Sequence, residues 1–330
     1  MNDADYGKAW GLRRLATPDG LFTMVATDQR PPIMDMIRAR TGAEPSFDQV
    51  AEVKRMLVTA LAPEASALLI DPIWGYPPSF TALCPDRGLI ITLEDHAYED
   101  TPGGRRSRVI DGWSAARIRA IGADAVKLLA WYRPDASPDI LAHQQQLVAE
   151  VGAACRAAAI PFVFELLTYP LGAATGQGTS YATDPNTRPA LVLDSVRAFA
   201  SPAYGIDLWK LESPLPPAAI SDPDGPAAAQ TQAVFDALGQ ATPGPWVMLS
   251  GGADRQRFLW ILTYALRAGA CGFLAGRSIW ADAIVAYPDT DAAMAALRSG
   301  AIARLAELRE LTTRLARPLA IGAAYARSRP

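Results

Sequence analysis

Short apolar runs alternate with longer amphipathic ones along most of the chain, the pattern of strands buried on both faces and helices laid against them. Eight runs read as strands: "LFTMVAT" (21–27), "SALLID" (66–71), "GLIITL" (88–93), "DAVKLLAWY" (124–132), "IPFVFELL" (160–167), "IDLWKLE" (206–212), "PWVMLS" (245–250) and "CGFLAG" (271–276). Between them apolar positions recur at helical spacing, in "SFDQVAEVKRMLVTALA" starting at Ser46, in "SAARIRAIG" closing on Gly122, and in "DILAHQQQLVAEVGAACRAA" after Pro138. "RQRFLWILTYALRAG" and "AIARLAELRELTTRLA" repeat that period. Eight such units without a boundary predict an α/β fold, a single (β/α)8 TIM barrel over residues 1–330, with a lead-in at 1–20 and a helical tail at 286–330. The proline- and glycine-rich stretches 99–108, 170–189 and 213–226 each follow a strand and are therefore expected to be loops of the barrel's active face.

Polar residues gather where these strands end. Asp28, Gln29 and Arg30 follow the first, Asp71 ends the second, and Glu94 and Asp95 follow the third; Ser250, Gly251 and Gly252 end the seventh, and Gly276 and Arg277 the eighth. Singly these have ordinary explanations: a helix cap at Asp28, a solvated loop charge at Glu94, an arginine partner for Asp71. Charges inside apolar strands are different, because an unpaired buried charge costs several kcal/mol. Lys127 lies within the fourth strand, Glu165 within the fifth, and Lys210 within the sixth, with Glu212 two residues on and expected on the same face. Neighbouring strands would bring two amines and a carboxylate around one central space.

Composition sharpens this. Of 31 basic residues only Lys8, Lys54, Lys127 and Lys210 are lysine. Lys8 and Lys54 read as surface charges, whereas Lys127 and Lys210 sit where arginine could not replace a titratable amine. A lysine desolvated beside another cation has a lowered pKa, which leaves free amine to attack a ketone and form a Schiff base. Glu165 could then shuttle the protons. That is the constellation of a class I aldolase. Glycine turns after the seventh and eighth strands, with Arg277, form a candidate phosphate site. Only His96 and His143 are present, so a zinc route is disfavoured and neither metal nor cofactor is expected.

Net charge is −3 with both signs interspersed, which gives no footprint for nucleic acid or for a membrane surface. With no long apolar stretch and three scattered cysteines, Cys84, Cys155 and Cys271, the protein is expected to be cytoplasmic with free thiols. A homo-oligomer is expected, and the apolar helix 302–316 could pack on its own barrel or on a neighbouring subunit.

In order along the chain, "MVATDQR", "LLIDPIWGYP", "DAVKLLAWY", "PFVFELLTY", "GIDLWKLESP", "WVMLSGGA" and "GFLAGRSIW" resemble the strand-end motifs of the tagatose 1,6-bisphosphate aldolase family and the related sulfofructose 1-phosphate aldolases. The resemblance implies a Schiff base on Lys210, proton transfer by Glu165 with Lys127 beside it, a substrate site lined by Asp28, Gln29 and Arg30, and a ketone-side phosphate on Ser250, Gly251, Gly276 and Arg277. Pro31 and the run "LESP" depart from the tagatose enzymes, and "AWYRPD" and "GFLAGRSIW" lean toward the sulfofructose type. The expected substrate is a phosphorylated ketose whose far end, phosphate, sulfonate or neither, stays open, as does the role of Glu212. A sugar-phosphate-binding sensor and a phosphosugar isomerase or epimerase are the alternatives, and both leave the two buried lysines unexplained.

Overall fold

In the computed structural model, which describes residues 2–171 and 186–319, all eight apolar runs form strands. They are β1 (Phe22–Ala26), β2 (Ala67–Ile70), β3 (Gly88–Thr92), β6 (Ala125–Trp131), β7 (Phe162–Leu167), β8 (Leu208–Leu211), β9 (Trp246–Met248) and β10 (Gly272–Ala275). Between β3 and β6 stand two further strands, β4 (Glu99–Thr101) and β5 (Gly104–Arg106), which pair antiparallel as a hairpin. The other eight close into a barrel in the order β1, β10, β9, β8, β7, β6, β3, β2, every neighbouring pair parallel. This is a TIM barrel.

Alternation along the strands sorts the core into two. One set, among them Phe22, Met24, Leu69, Ile90, Val163, Leu208, Val247 and Leu274, fills the barrel interior, and Leu15 of the N-terminal helix Asp3–Leu15 joins it. The other set, including Val25, Leu68, Val126, Phe164, Trp209 and Phe273, packs outward against the helices. The lead-in is therefore helical and continues the barrel core. Above the apolar interior layers, the inward series on β6 runs through Lys127, on β7 through Glu165 and on β8 through Lys210.

The stretch 99–108 was expected as loop and instead carries the β4–β5 hairpin. Three-residue strands flanking Pro102 and Gly103 owe their form to turn chemistry, so no apolar alternation announces them. Of the stretch 170–189, residues 172–185 lie outside the described residues, as do 320–330 of the tail.

The tail helix Ile302–Leu315 packs on its own barrel, against the helix Arg255–Arg267 and β1, with Leu305, Leu308 and Leu311 buried. No described helix is long and apolar enough to cross a membrane. Because Leu305 is fully buried within one chain, Leu305→Ala should cost about 2–4 kcal/mol of unfolding free energy. Denaturant titration should give the same loss at every protein concentration; a loss that grows on dilution would place this helix at a subunit contact.

Candidate active site

The register brings two charged strand residues to one level of the barrel mouth and a third just beneath them. Glu165 on β7 is opposite Lys210 on β8, and Leu129 on β6 is opposite Glu165 from the other side. Lys127, two residues before Leu129, lies one inward step deeper and reaches up with its longer side chain. The result is one carboxylate oxygen shared by two amines: Glu165 Oε2 stands 2.7 Å from Lys127 Nζ and 3.0 Å from Lys210 Nζ.

The two amines differ in everything else. Lys127 also donates to Asp28 Oδ2 at 3.0 Å and to Glu94 Oε1 at 2.5 Å, so three carboxylates enclose it. Glu94 is itself fixed, accepting the Leu129 N–H at 3.0 Å, while its carbonyl accepts from Arg30 Nη2 at 3.3 Å. Burial alone would lower the pKa of the Lys127 ammonium, but Asp28, Glu165 and Glu94 outweigh it and hold that pKa above the ordinary lysine range. Burial would likewise raise Asp28 and Glu165; Lys127 and Lys210 reverse this and keep both carboxyls below their usual range. Lys127 is a locked cation. Lys210 has Glu165 as its one ion-pair partner among the described residues.

Three surface readings from the sequence are corrected here. Lys54, on the helix Phe47–Leu61 whose Ser46 N-cap forms a capping box with Gln49, is fully buried together with Asp71. Its ammonium donates to the carbonyls of Thr27 and Gln29 at 2.6 and 2.7 Å and stands 2.7 Å from Asp71 Oδ2. Those carbonyls flank Asp28, so Lys54 clamps the segment that presents Asp28 to Lys127. Asp71 is thus held by a lysine rather than an arginine. Lys8 is also buried, paired with Asp207 at 2.7 Å. Glu94, read as a possible solvated charge, is a buried member of the central cluster.

A cavity of about 690 Å3 opens over these groups and is lined by Asp28, Gln29, Arg30, Glu94, Lys127, Glu165, Lys210 and Arg277 from the strand ends, with Leu129, Trp131, Leu167 and Tyr98 on its apolar side. Arg30 is buried, and its Nε and Nη1 have no hydrogen-bond partner among the described residues. Gly251 and Gly252 take positive φ values of 56° and 78°, a turn that glycine adopts without steric cost. Gly252 packs beside Arg277, whose Nη2 would lie 3.7 Å from a Cβ there. At Gly276 a Cβ would meet Ala26 O at 2.7 Å and Gln29 Nε2 at 2.8 Å, so the absence of a side chain lets Gln29 lie against the start of the helix Arg277–Ile284. Ser250, Gly251, Gly252 and Gly276 are not among the cavity's lining residues; Gly252 and Gly276 adjoin it through Arg277 and Gln29.

Glu212 does not join them. The strand ends at Leu211, and beyond it the period of two no longer fixes direction. The Glu212 carboxylate accepts the Thr168 N–H at 2.6 Å and pairs with Arg188 at 2.5 Å. It fastens the end of β8 to the helix Arg188–Ala198. Chemically, the cluster offers a permanent cation, an amine and a carboxylate able to exchange a proton with that amine directly.

The Lys54–Asp71 pair gives a test. Lys54→Met leaves Asp71 buried without its cation and should destabilise the fold by about 3–5 kcal/mol. The double variant Lys54→Met/Asp71→Leu should recover most of that stability in thermal unfolding, since no buried charge is orphaned. If the single variant is as stable as wild type, the pair is not holding this segment.

The chain is similar to known proteins over most of its length. Residues 22–282 match the family described as DeoC/LacD family aldolase. A tagatose 1,6-diphosphate aldolase of Streptococcus mutans is 32% identical over 282 residues, covering 84% of this chain and 86% of that protein. The tagatose 1,6-diphosphate aldolase of Lactococcus lactis is 30% identical over 319 residues, 94% and 97% of the two chains. Among solved structures, a fructose-bisphosphate aldolase from Plasmodium falciparum superposes with a TM-score of 0.71 at 12% identity, over 96% of this chain and 97% of that one. A Schiff-base-forming fructose-1,6-bisphosphate aldolase gives 0.59 at 17% identity, over 92% and 99%. Both share the barrel fold.

Proposed function

We propose that this chain, which belongs to the DeoC/LacD family of aldolases and is a class I aldehyde-lyase, cleaves a phosphorylated ketose reversibly into dihydroxyacetone phosphate and an aldehyde. Tagatose 1,6-bisphosphate, named by the relatives, heads the candidate substrates. The observation that carries the reading is the unequal pair of amines on one oxygen of Glu165. The proton on Lys210 has one carboxylate to go to, while Lys127 stays charged and supplies the neighbouring positive field.

Transfer of that proton to Glu165 frees the Lys210 amine to attack the ketone carbon. The carbinolamine then loses water, taking the proton back from Glu165, and an iminium remains. The iminium draws in the electron pair of the bond between the third and fourth carbons, while the Glu165 carboxylate accepts the proton of the fourth carbon's hydroxyl. Aldehyde leaves, the enamine is reprotonated, and water releases dihydroxyacetone phosphate and the free amine. In this reading Lys127 and Asp28 orient and polarise the sugar hydroxyls, and Gln29 and Arg30 line its path. Ser250, Gly251, Gly252, Gly276 and Arg277 take the phosphate next to the ketone, through backbone N–H groups and one guanidinium. Glu212, engaged by Arg188, is assigned a structural part.

With a panel of ketose 1-phosphates, wild type should release dihydroxyacetone phosphate in a coupled assay. Lys210→Met should abolish release, and Glu165→Gln should lower kcat by about 10²- to 10⁴-fold, the range of lost general acid–base help. Cleavage retained in Lys210→Met would rule out the imine route.

A further inference from the structure

One buried ion pair does no chemistry in the reading above, yet it sits directly behind residues that do. Lys54 and Asp71 are both fully buried, and neither lines the cavity. An ammonium has three N–H donors, and three oxygens surround Lys54 Nζ: the carbonyls of Thr27 and Gln29 at 2.6 and 2.7 Å and Asp71 Oδ2 at 2.7 Å. The residue between those two carbonyls is Asp28, and Asp28, Gln29 and Arg30 all line the cavity. Burial lowers the pKa of this ammonium below the ordinary lysine range, against the opposing charge of Asp71. An apolar pair of similar volume is often as stable as a buried ion pair, so stability alone does not call for these charges. Their placement does.

Asp71 carries the hold to a second wall. It follows β2, which stands between β1 and β3 in the ring. While its Oδ2 faces Lys54, its Oδ1 accepts the N–H groups of Ile73 at 3.0 Å and Trp74 at 2.7 Å. The Asp71 carbonyl accepts the Tyr76 N–H at 2.8 Å. At Gly75 a Cβ would meet Asp71 Oδ2 at 2.9 Å, so a side chain there would crowd the pair. The turn held in this way sets the Trp74 ring, which meets the His96 ring edge-on with centroids 5.6 Å apart. His96, past the end of β3, lines the cavity. One carboxylate thus ties the segment after β1 to the turn that backs His96.

We propose that Lys54 and Asp71 are positioning residues of the aldolase reaction: they hold Asp28 where it meets Lys127 and keep the Asp28–Gln29–Arg30 segment in register with the His96 wall. The proposal rests on the aldolase reading above. Asp28 Oδ2 reaches Lys127 Nζ at 3.0 Å, a contact that a small shift of its main chain would break. Misplacement by about 1 Å costs about 100-fold in rate. The Lys210–Glu165 pair lies on β8 and β7, across the ring from β2 and β1, and makes no contact with the clamp. Imine formation and bond cleavage should therefore respond differently to its loss.

The test uses the charge-free variant Lys54→Met/Asp71→Leu of the full-length protein, with wild type, Asp28→Asn and the triple variant alongside, on a ketose 1-phosphate that wild type cleaves. The charge-free variant should keep most of the wild-type stability yet lose about 100-fold in kcat, while borohydride still traps dihydroxyacetone phosphate on its Lys210. Asp28→Asn should lower the wild-type kcat by a similar factor. In the charge-free background it should add less than about threefold, because a displaced Asp28 has little left to lose. If the charge-free variant does not fold, Lys54→Met/Asp71→Asn, which keeps an acceptor for the Ile73 and Trp74 N–H groups and orphans no charge, takes its place. A folded charge-free variant with kcat within about threefold of wild type overturns the proposal, since the pair would then serve folding alone. So do losses that multiply with Asp28→Asn, trapping lost together with cleavage, or failure of both charge-free variants to fold. Absence of trapping in wild type removes the aldolase reading and this inference with it, whereas trapping and cleavage in wild type without the coupling to Asp28 remove this inference alone.

Discussion

One oxygen atom, Oε2 of Glu165, receives two ammonium groups, and the rest of the site is arranged around making those two contacts unequal. Two buried cations on one carboxylate would repel each other without further counter-charge. Asp28 and Glu94 supply it, and both are in direct contact with Lys127. The consequence is a division of labour that two lysines in equivalent surroundings would not have. Lys127 is pinned as a cation, and Lys210 is left with a partner that can take its proton. At Lys127 the lowered pKa expected of a desolvated amine is overruled: the three carboxylates outweigh burial.

That inequality depends on the barrel. Asp28 stands just past β1, across the ring from β7, and reaches Lys127 only because its own segment is held in place from outside the barrel by Lys54, through the carbonyls on either side. Below the charged layer, the interior plug of Phe22, Met24, Leu69, Ile90, Val163, Leu208, Val247 and Leu274 closes the barrel from beneath. It gives Lys127, Glu165 and Lys210 their dry floor, which is what makes their mutual electrostatics strong. Fold and chemistry are thus one constraint: parallel strands in register, each contributing one polar residue at the height where the apolar layers stop.

Much of this was legible in the sequence, for specific reasons. The strands stand out because a barrel strand is buried on both sides, and Lys127, Glu165 and Lys210 stand out because a charge inside such a run has no cheap explanation. Lys54 was misread because helices routinely carry lysine on their solvent side. A signal was present: Val50, Val53, Leu57, Val58 and Leu61 trace a buried stripe, and position 54 falls on it. Glu94 similarly continues the alternate positions of Ile90 and Thr92 toward the interior. The direction of Glu212 was lost for the opposite reason, an alternation extended one step past the strand that enforced it.

The central claim is that Lys210, and not the adjacent Lys127, is the amine that becomes nucleophilic. Treating the protein with dihydroxyacetone phosphate and borohydride, then mapping the reduced adduct by peptide mass spectrometry, reads this directly. The unequal ion pairing predicts a single covalent adduct on Lys210, with Lys127 unmodified. An adduct on Lys127, or none on either lysine, would contradict it.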